Sequence, residues 1–310
     1  MNCKICKIGN VSQIVEATDI ITKENFEYRK CSNCDVLYLA EIPADLGKYY
    51  FTNYYSFSPD NTSLLSRVKN LRDKFEVSGK GNIGKIFSLI TPNYTLRSLK
   101  HLPLKKESRL LDSGCGTGRD IAVLREQGYT NVQGADPFID KDVYHSNKVL
   151  VEKKNLSEVE GKFDFITMHH SFEHVPNPQE TVEQAYKLLD KGGRLIIRIP
   201  VSDCWALKHY GKEWVQFDPP RHLFLHTQKS MKIIAEQAGF TMENIVYDSC
   251  DFQFWASEVT KSGSSVHTLP KNKVAYWKIM SLLRGYSRKA KQLNKDQAGD
   301  QAMFILKKEH

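Results

Sequence analysis

The stretch Leu110-Leu111-Asp112-Ser113-Gly114-Cys115-Gly116-Thr117-Gly118 constrains this chain more than any other. An apolar strand runs straight into a glycine-rich turn, with the Asp112 carboxylate at its lip. Such a strand–turn–helix unit belongs to a doubly wound α/β sheet, whose ligands sit at the carboxyl ends of the strands. A dinucleotide fingerprint would need glycine three residues past Gly116, where Arg119 stands, so the pyrophosphate-binding spacing fails. A P-loop would need Lys and then Ser or Thr after the second loop glycine, but Gly118 is followed by Arg119 and Asp120.

Further landmarks follow in order. A helix over residues 120–127 stops at Gly128, and Val132-Gln133-Gly134-Ala135-Asp136-Pro137 then carries a carboxylate to a strand end. Asp136 stands about 20 residues past the glycine turn, where an acid accepts hydrogen bonds from a ribose diol. Asn155-Leu156 precedes the exit of a third strand. A fourth strand over 163–168 ends in His169-His170-Ser171-Phe172-Glu173-His174, and a fifth over 194–199 follows Lys191-Gly192-Gly193.

Asp112-x-Gly114-x-Gly116-x-Gly118 followed by Asp136 resembles motifs I and II of the class I S-adenosylmethionine-dependent methyltransferases. The resemblance implies S-adenosylmethionine as cofactor. It places Asp112, Gly114, Cys115, Gly116, Gly118, Asp136, Pro137, Asn155, Leu156 and His169 around that cofactor. It also implies a seven-stranded doubly wound sheet whose last strand, over 301–306, inserts antiparallel between the fifth and sixth.

Four cysteines near the start form two knuckles, Cys3-x-x-Cys6 and Cys31-x-x-Cys34. Paired thiolates of this kind suit tetrahedral structural zinc, with residues 11–21 and 26–29 as the hairpin between them. Disulfides are disfavoured in a reducing compartment, and iron in a rubredoxin-like site is the other metal option. No apolar run reaches the roughly 18 residues of a membrane span, and Met1-Asn2-Cys3-Lys4 opens no apolar signal segment, so a cytoplasmic protein is expected.

The expected organisation is a zinc-ribbon-like module over 1–40 and an aromatic connector with a helical cap over 41–98. The cofactor domain covers 99–260 and 300–310, with a basic helical insertion over 261–299. The connector holds Tyr49, Tyr50 and the aromatic run through Phe57; helices are expected over 64–75 and 83–102. The cofactor domain should keep its own core without the ribbon. In the insertion, Tyr276, Ile279, Met280, Leu283 and Tyr286 recur at helical spacing. Residues 261–310 carry 11 Lys or Arg against three acids, a surplus equal to the chain's whole formal charge of +8. A solvated face explains this ordinarily; nucleic acid, a phosphorylated substrate or an anionic membrane surface are the functional readings.

The acceptor is read from two places. Asp218-Pro219-Pro220 has the look of an amine-directed motif, but it follows the fifth strand rather than the fourth. His170-Ser171-Phe172-Glu173-His174 matches the H-x-x-E-H of inverted zinc peptidases, and resembles more closely the Glu-x-x-Glu-His of ubiquinone-type O-methyltransferases, with His170 in place of the first acid. Methyl transfer needs an aligned acceptor and removal of its proton, which makes His170, His174 and His222 the candidate bases. The ribbon, the cofactor motifs and Pro219-Pro220-Arg221-His222-Leu223 together resemble bacterial methyltransferases of sugar and surface-polysaccharide pathways. The expected acceptor is therefore a sugar or nucleotide-sugar hydroxyl. An RNA methyltransferase and a non-catalytic cofactor-binding protein are the competing classes.

Overall fold

The computed structural model describes residues 2–50, 64–145, 148–263 and 285–310. The chain opens with an antiparallel meander of β1 (Val11–Thr18), β2 (Asn25–Cys31) and β3 (Leu37–Leu39). Asp19 sets the first turn, accepting from the Thr22 amide at 2.7 Å and the Thr22 hydroxyl at 2.8 Å. Helices α1 (Leu64–Ser78), α2 (Asn82–Ile90) and α3 (Tyr94–Ser98) follow. The single helix expected over 83–102 is thus broken. Pro92 has no amide to donate and disfavours helix at Thr91, and the Asn93 side chain then caps α3 by accepting from the Leu96 amide at 3.1 Å.

The sheet domain comprises β4 (Leu110–Ser113), α4 (Arg119–Glu126), β5 (Val132–Ala135), β6 (Val143–His145), β7 (Lys148–Glu152) and β8 (Phe163–His169). It continues through α5 (Pro178–Leu188), β9 (Leu189–Pro200), α6 (Trp205–Tyr210), β10 (Phe224–Leu225), α7 (Gln228–Gln237), β11 (Phe240–Tyr247) and α8 (Phe252–Lys261). Residues 285–295 are helical, and β12 (Gln301–Lys308) closes the chain. The strand order is β11-β12-β9-β8-β4-β5-β7-β6. β4, β5, β7, β8 and β9 run parallel, and β12 lies antiparallel between β9 and β11, as expected for the last strand.

The sheet has eight strands rather than the expected seven. The extra one, β6, pairs antiparallel with β7 at the edge; at three residues it is too short to show any alternation in sequence. The central strands are apolar on both faces, with Leu110, Leu111, Ile166, Leu195, Ile196 and Ile197 all buried, as parallel strands covered by helices on both sides must be.

The N-terminal sheet is completed by β10, far along the chain. Phe224 pairs with Tyr38 and Leu225 with Leu37. The Tyr28 hydroxyl donates to the His222 carbonyl at 2.7 Å, and the Thr227 hydroxyl donates to the Cys34 carbonyl at 2.7 Å. One hydrophobic cluster therefore joins Tyr28, Tyr38 and Leu39 to Phe217, Phe224 and Ile199. The N-terminal module packs into the core of the sheet domain instead of standing beside it.

Residues 51–57 of the aromatic connector, and Tyr276, Ile279, Met280 and Leu283 of the basic insertion, lie outside the described residues. Tyr49 is buried edge-on against Phe26 at 5.5 Å, and Tyr286 stacks on Phe254 at 5.0 Å. Among the described residues no helix is long and apolar enough to cross a membrane.

Candidate functional site

The glycine turn links β4 to α4 at the carboxyl edge of the sheet. Gly114 has φ +78°, and a Cβ there would stand 2.3 Å from Cβ of Ser171 at the β8 exit. The Ser171 hydroxyl in turn donates to the Ser113 carbonyl at 2.9 Å, so the β4 and β8 exits are held together. Gly134 makes room for Cys115: a Cβ at 134 would lie 2.3 Å from the Cys115 sulfur. Burial pushes that thiol's pKa well above its ordinary value, so Cys115 is a packing group and a poor thiolate.

Asp136, at the β5 exit, accepts from the Gly116 amide at 2.7 Å with one oxygen and from the Phe138 amide at 2.8 Å with the other. Each carboxylate oxygen can accept more than one bond, so capacity remains for a diol. Pro137 follows directly, fixing the turn that presents Phe138. Asp112 is buried beneath the turn and accepts from the Thr167 hydroxyl at 2.8 Å. Burial pushes its carboxyl up to about 7; the Thr167 bond opposes this, and the Asp120 and Asp136 charges add to it.

Asn155 and Leu156 fall just after β7 rather than before its exit, in a single helical turn. The Glu158 carboxylate accepts from the Asn155 amide at 2.8 Å, and Leu156 packs inward. His169 ends β8 beside a small cavity that Asp112, Asp120 and Thr167 also line. Its Nε2 lies 3.3 Å from the Ser98 hydroxyl, and its buried Nδ1 has no hydrogen-bond partner. Burial, with the Arg198 charge, holds His169 well below the ordinary histidine pKa and therefore neutral.

The three candidate bases meet around an acid that sequence reasoning did not single out. Glu173 is fully buried, and neither of its carboxylate oxygens has a hydrogen-bond partner. His170 Nδ1 lies 3.4 Å from Glu173 Oε1 and His222 Nε2 lies 4.0 Å away, while the His174 and His222 rings are edge-on at 4.9 Å. Burial alone would raise the Glu173 pKa, but His170, His174 and His222 outweigh it and bring the carboxyl down to about 2. His174 Nδ1 pairs with the Arg221 carbonyl and His222 Nδ1 with the Gln216 carbonyl, both at 2.8 Å. A carbonyl only accepts, so each Nδ1 carries a proton, and in the neutral ring each Nε2 keeps its lone pair. His170 is held differently. Its Nε2 faces two donors, Arg198 Nη1 at 2.6 Å and Gln301 Nε2 at 2.9 Å, which engage its lone pair.

Aromatic contacts join this histidine cluster to the β5 exit. Tyr50 packs edge-on against His174 at 6.2 Å and stacks on Phe138 at 6.3 Å, bridging the β8 and β5 exits. The Asp218-Pro219-Pro220 segment serves the same scaffold: Asp218 Oδ2 accepts from Arg221 Nε at 2.9 Å, and Arg221 also donates to Asp19 at 2.9 Å and to the Tyr49 carbonyl at 3.0 Å. The Asp218 carboxylate is engaged in an ion pair with Arg221. Glu173 had a sequence signal in the His-x-x-Glu-His spacing. Tyr50 and Phe138 had only their positions beside a connector and a proline.

The four N-terminal cysteines lie together, with Cys3 and Cys34 sulfurs 3.7 Å apart and Cys6 and Cys31 sulfurs 3.5 Å apart. A tetrahedron with metal–sulfur bonds of about 2.3 Å has edges of about 3.8 Å, so the cage has the size of a thiolate zinc site. All four thiols are free, not bridged. The amides of Ile5 and Asn33 point at the Cys3 and Cys31 sulfurs, each at 3.3 Å. Gly9 leaves space that a Cβ would take, only 2.2 Å from the Cys31 sulfur.

The sequence model of the family described as "Methyltransferase domain" matches residues 83–245, more than half of the chain. The ubiquinone biosynthesis O-methyltransferase of Psychrobacter arcticus is 26% identical over 176 residues, covering 48% of this chain and 66% of that protein. The mitochondrial ubiquinone biosynthesis O-methyltransferase of Saccharomyces cerevisiae is 33% identical over 101 residues, covering 29% of this chain and 32% of that protein. The chain thus spans between about a third and two thirds of the length of these relatives. A solved S-adenosylmethionine-dependent methyltransferase from Archaeoglobus fulgidus is 19% identical with a TM-score of 0.45, covering 74% of this chain and all of that one.

Proposed function

The chain belongs to the methyltransferase-domain family and is an S-adenosylmethionine-dependent methyltransferase, and on that premise we propose that its acceptor is a hydroxyl group of a small molecule. In this reading the acceptor oxygen attacks the methyl carbon, the carbon–sulfur bond breaks with its electron pair going to sulfur, and S-adenosylhomocysteine leaves. The acceptor proton passes to a histidine Nε2. Asp112, the 114–118 turn and Asp136 take the cofactor, with Asp136 receiving the ribose hydroxyls.

One observation carries the assignment of the base. The buried Glu173 carboxylate has no hydrogen-bond partner and faces a pair of histidines whose Nδ1 atoms are tied to carbonyls. Tying Nδ1 leaves Nε2 of His174 or His222 as the proton acceptor, and Glu173 stabilises the imidazolium that forms. His170, with its lone pair engaged by Arg198 and Gln301, orients Glu173 instead of taking the proton.

The donor set also fits a divalent cation, since Glu173, His174 and His222 each offer a ligand atom within 4.8 Å of the others. Histidine ligands commonly hold their second nitrogen on a carbonyl, as both do here. A cation bound there would polarise the acceptor hydroxyl. In the cysteine cage, zinc would cross-link the two N-terminal knuckles and hold the meander against β10.

The relatives named for ubiquinone biosynthesis support an O-methyl product, and the sugar or nucleotide-sugar class rests on the sequence resemblance. The test is to incubate the protein with S-adenosylmethionine and panels of sugar and phenolic hydroxyl compounds, reading one added methyl group by mass spectrometry. His174→Ala or His222→Ala should lower turnover by about 10²–10⁴ with S-adenosylmethionine affinity nearly unchanged. Full turnover in both variants would remove the histidine base from the account.

A further inference from the structure

Helix α2 turns its large apolar side chains outward. Its inner face is small and polar: Gly84 packs so closely on α1 that a Cβ would lie 2.3 Å from the Leu71 carbonyl oxygen. Ser88 donates to Glu76 at 2.8 Å, and Arg97 donates to the same carboxylate and to the Ser88 carbonyl. These contacts hold the helix without using its aliphatic residues. Ile83, Ile86, Leu89 and Ile90 are 58%, 57%, 76% and 68% exposed, and Leu71 of α1 extends the same surface. Isolated exposed apolar residues are ordinary, but four on one helix of nine residues form a contiguous patch.

The exposed charge on the hairpin itself has one sign. Between residues 66 and 91 the exposed charged side chains are Arg67, Lys69, Lys80 and Lys85. The two acids of the hairpin are turned inward: Asp73 is buried against Arg72 and Arg119, and Glu76 against Arg97. A groove beside the patch adds Lys106 next to Ile83 and Tyr129, and Lys74, which pairs with Glu126 of α4 at 3.2 Å. Protein–protein contacts favour aromatic residues, Met and Arg at their centre and are poor in Lys. An aliphatic face rimmed by Lys and Arg, with no exposed acid among the described residues of the hairpin itself, is instead the composition of a helix lying in a lipid interface, held by apolar burial and attraction to anionic headgroups.

We propose that the α1–α2 hairpin docks this protein on an anionic bilayer surface, with Ile83, Ile86, Leu89 and Ile90 entering the headgroup–acyl boundary and Lys80 and Lys85 meeting lipid phosphates. The proposal does not depend on the acceptor. It has a consequence for the site nonetheless: Asp73 of α1 receives Arg119 at the start of α4 at 2.9 Å, and Asn93 bridges Asp73 and Asp120, so the docking hairpin is braced against the helix that leaves the cofactor turn.

The experiment is flotation of the full-length chain with vesicles of phosphatidylcholine alone, and of equal parts phosphatidylcholine and phosphatidylglycerol. Binding is expected only to the anionic vesicles, falling with added salt. Ile86→Asp with Leu89→Asp, and separately Lys80→Glu with Lys85→Glu, should each weaken it about tenfold or more without lowering the melting temperature, because these side chains are exposed. Ile86→Trp should show a blue-shifted emission on the same vesicles and none with phosphatidylcholine. Equal binding to both vesicle types, no binding, or binding untouched by these variants overturns the proposal. So does a vesicle-free dimer abolished by Ile86→Asp with Leu89→Asp, which would assign the face to a second copy of the chain.

Discussion

Gly114→Ala should damage the protein twice, through its backbone and through a contact. At φ +78° an alanine pays the left-handed penalty of about 1–2 kcal/mol. Its Cβ would also stand 2.3 Å from the Ser171 Cβ, and relieving that overlap means parting the β4 and β8 exits, at a cost of about 1–3 kcal/mol. The sum, about 2–5 kcal/mol, should appear as a lower midpoint in urea unfolding. The two contributions can be separated. Ser171→Gly removes the atom in the way, at the loss of its own bond to the Ser113 carbonyl, so in the double variant only the backbone part of the Gly114→Ala cost should remain. Urea melts of the wild type, both single variants and the double variant should give a favourable coupling of about 1–3 kcal/mol. Additive effects, or a Gly114→Ala loss below about 0.5 kcal/mol, would refute the claim that this glycine is required by its neighbour across the strand exits.

Two further predictions concern the metal cage and the buried acid under the turn. Cys31→Ser should release about one zinc per chain by elemental analysis, and it should lower the melting temperature of the whole chain, because the meander shares one core with Phe217 and Phe224; an unchanged melting temperature would restore an independent sheet domain. The Asp112 carboxyl, raised to about 7 in the folded chain, holds its proton more tightly than in the unfolded chain, so its contribution to stability should fall as pH rises from about 4 to about 7. Asp112→Asn should remove that slope, read as the difference between wild-type and variant unfolding curves across the window.

What the sequence shows and what it hides divide along physical lines. The glycine turn, Asp136 and the central strands are contiguous segments with strong local patterns, so their order and the antiparallel last strand were legible. Strand β6 has three residues and β10 two, and neither can display a period. That β10 completes the N-terminal sheet depends on pairing Phe224 with Tyr38, more than half the chain apart, which no local pattern encodes. The histidines were recognisable by residue type, but their roles were not. The tautomers of His174 and His222 are set by the carbonyls of Arg221 and Gln216, and the engagement of His170 by Arg198 and Gln301, all tertiary contacts. Glu173 was visible as a letter in a motif; its burial without a hydrogen-bond partner belongs to the fold alone.

The central claim is that the turn after β4 and the carboxylate after β5 hold S-adenosylmethionine. Isothermal titration calorimetry with S-adenosylhomocysteine, with NAD as the comparison, tests it most directly. The account predicts one site for S-adenosylhomocysteine, no heat with NAD, and an affinity lowered about tenfold or more by Asp136→Ala, which removes both the ribose acceptor and the bonds to the Gly116 and Phe138 amides. Tight NAD binding with none for S-adenosylhomocysteine, or an affinity indifferent to Asp136→Ala, would contradict it.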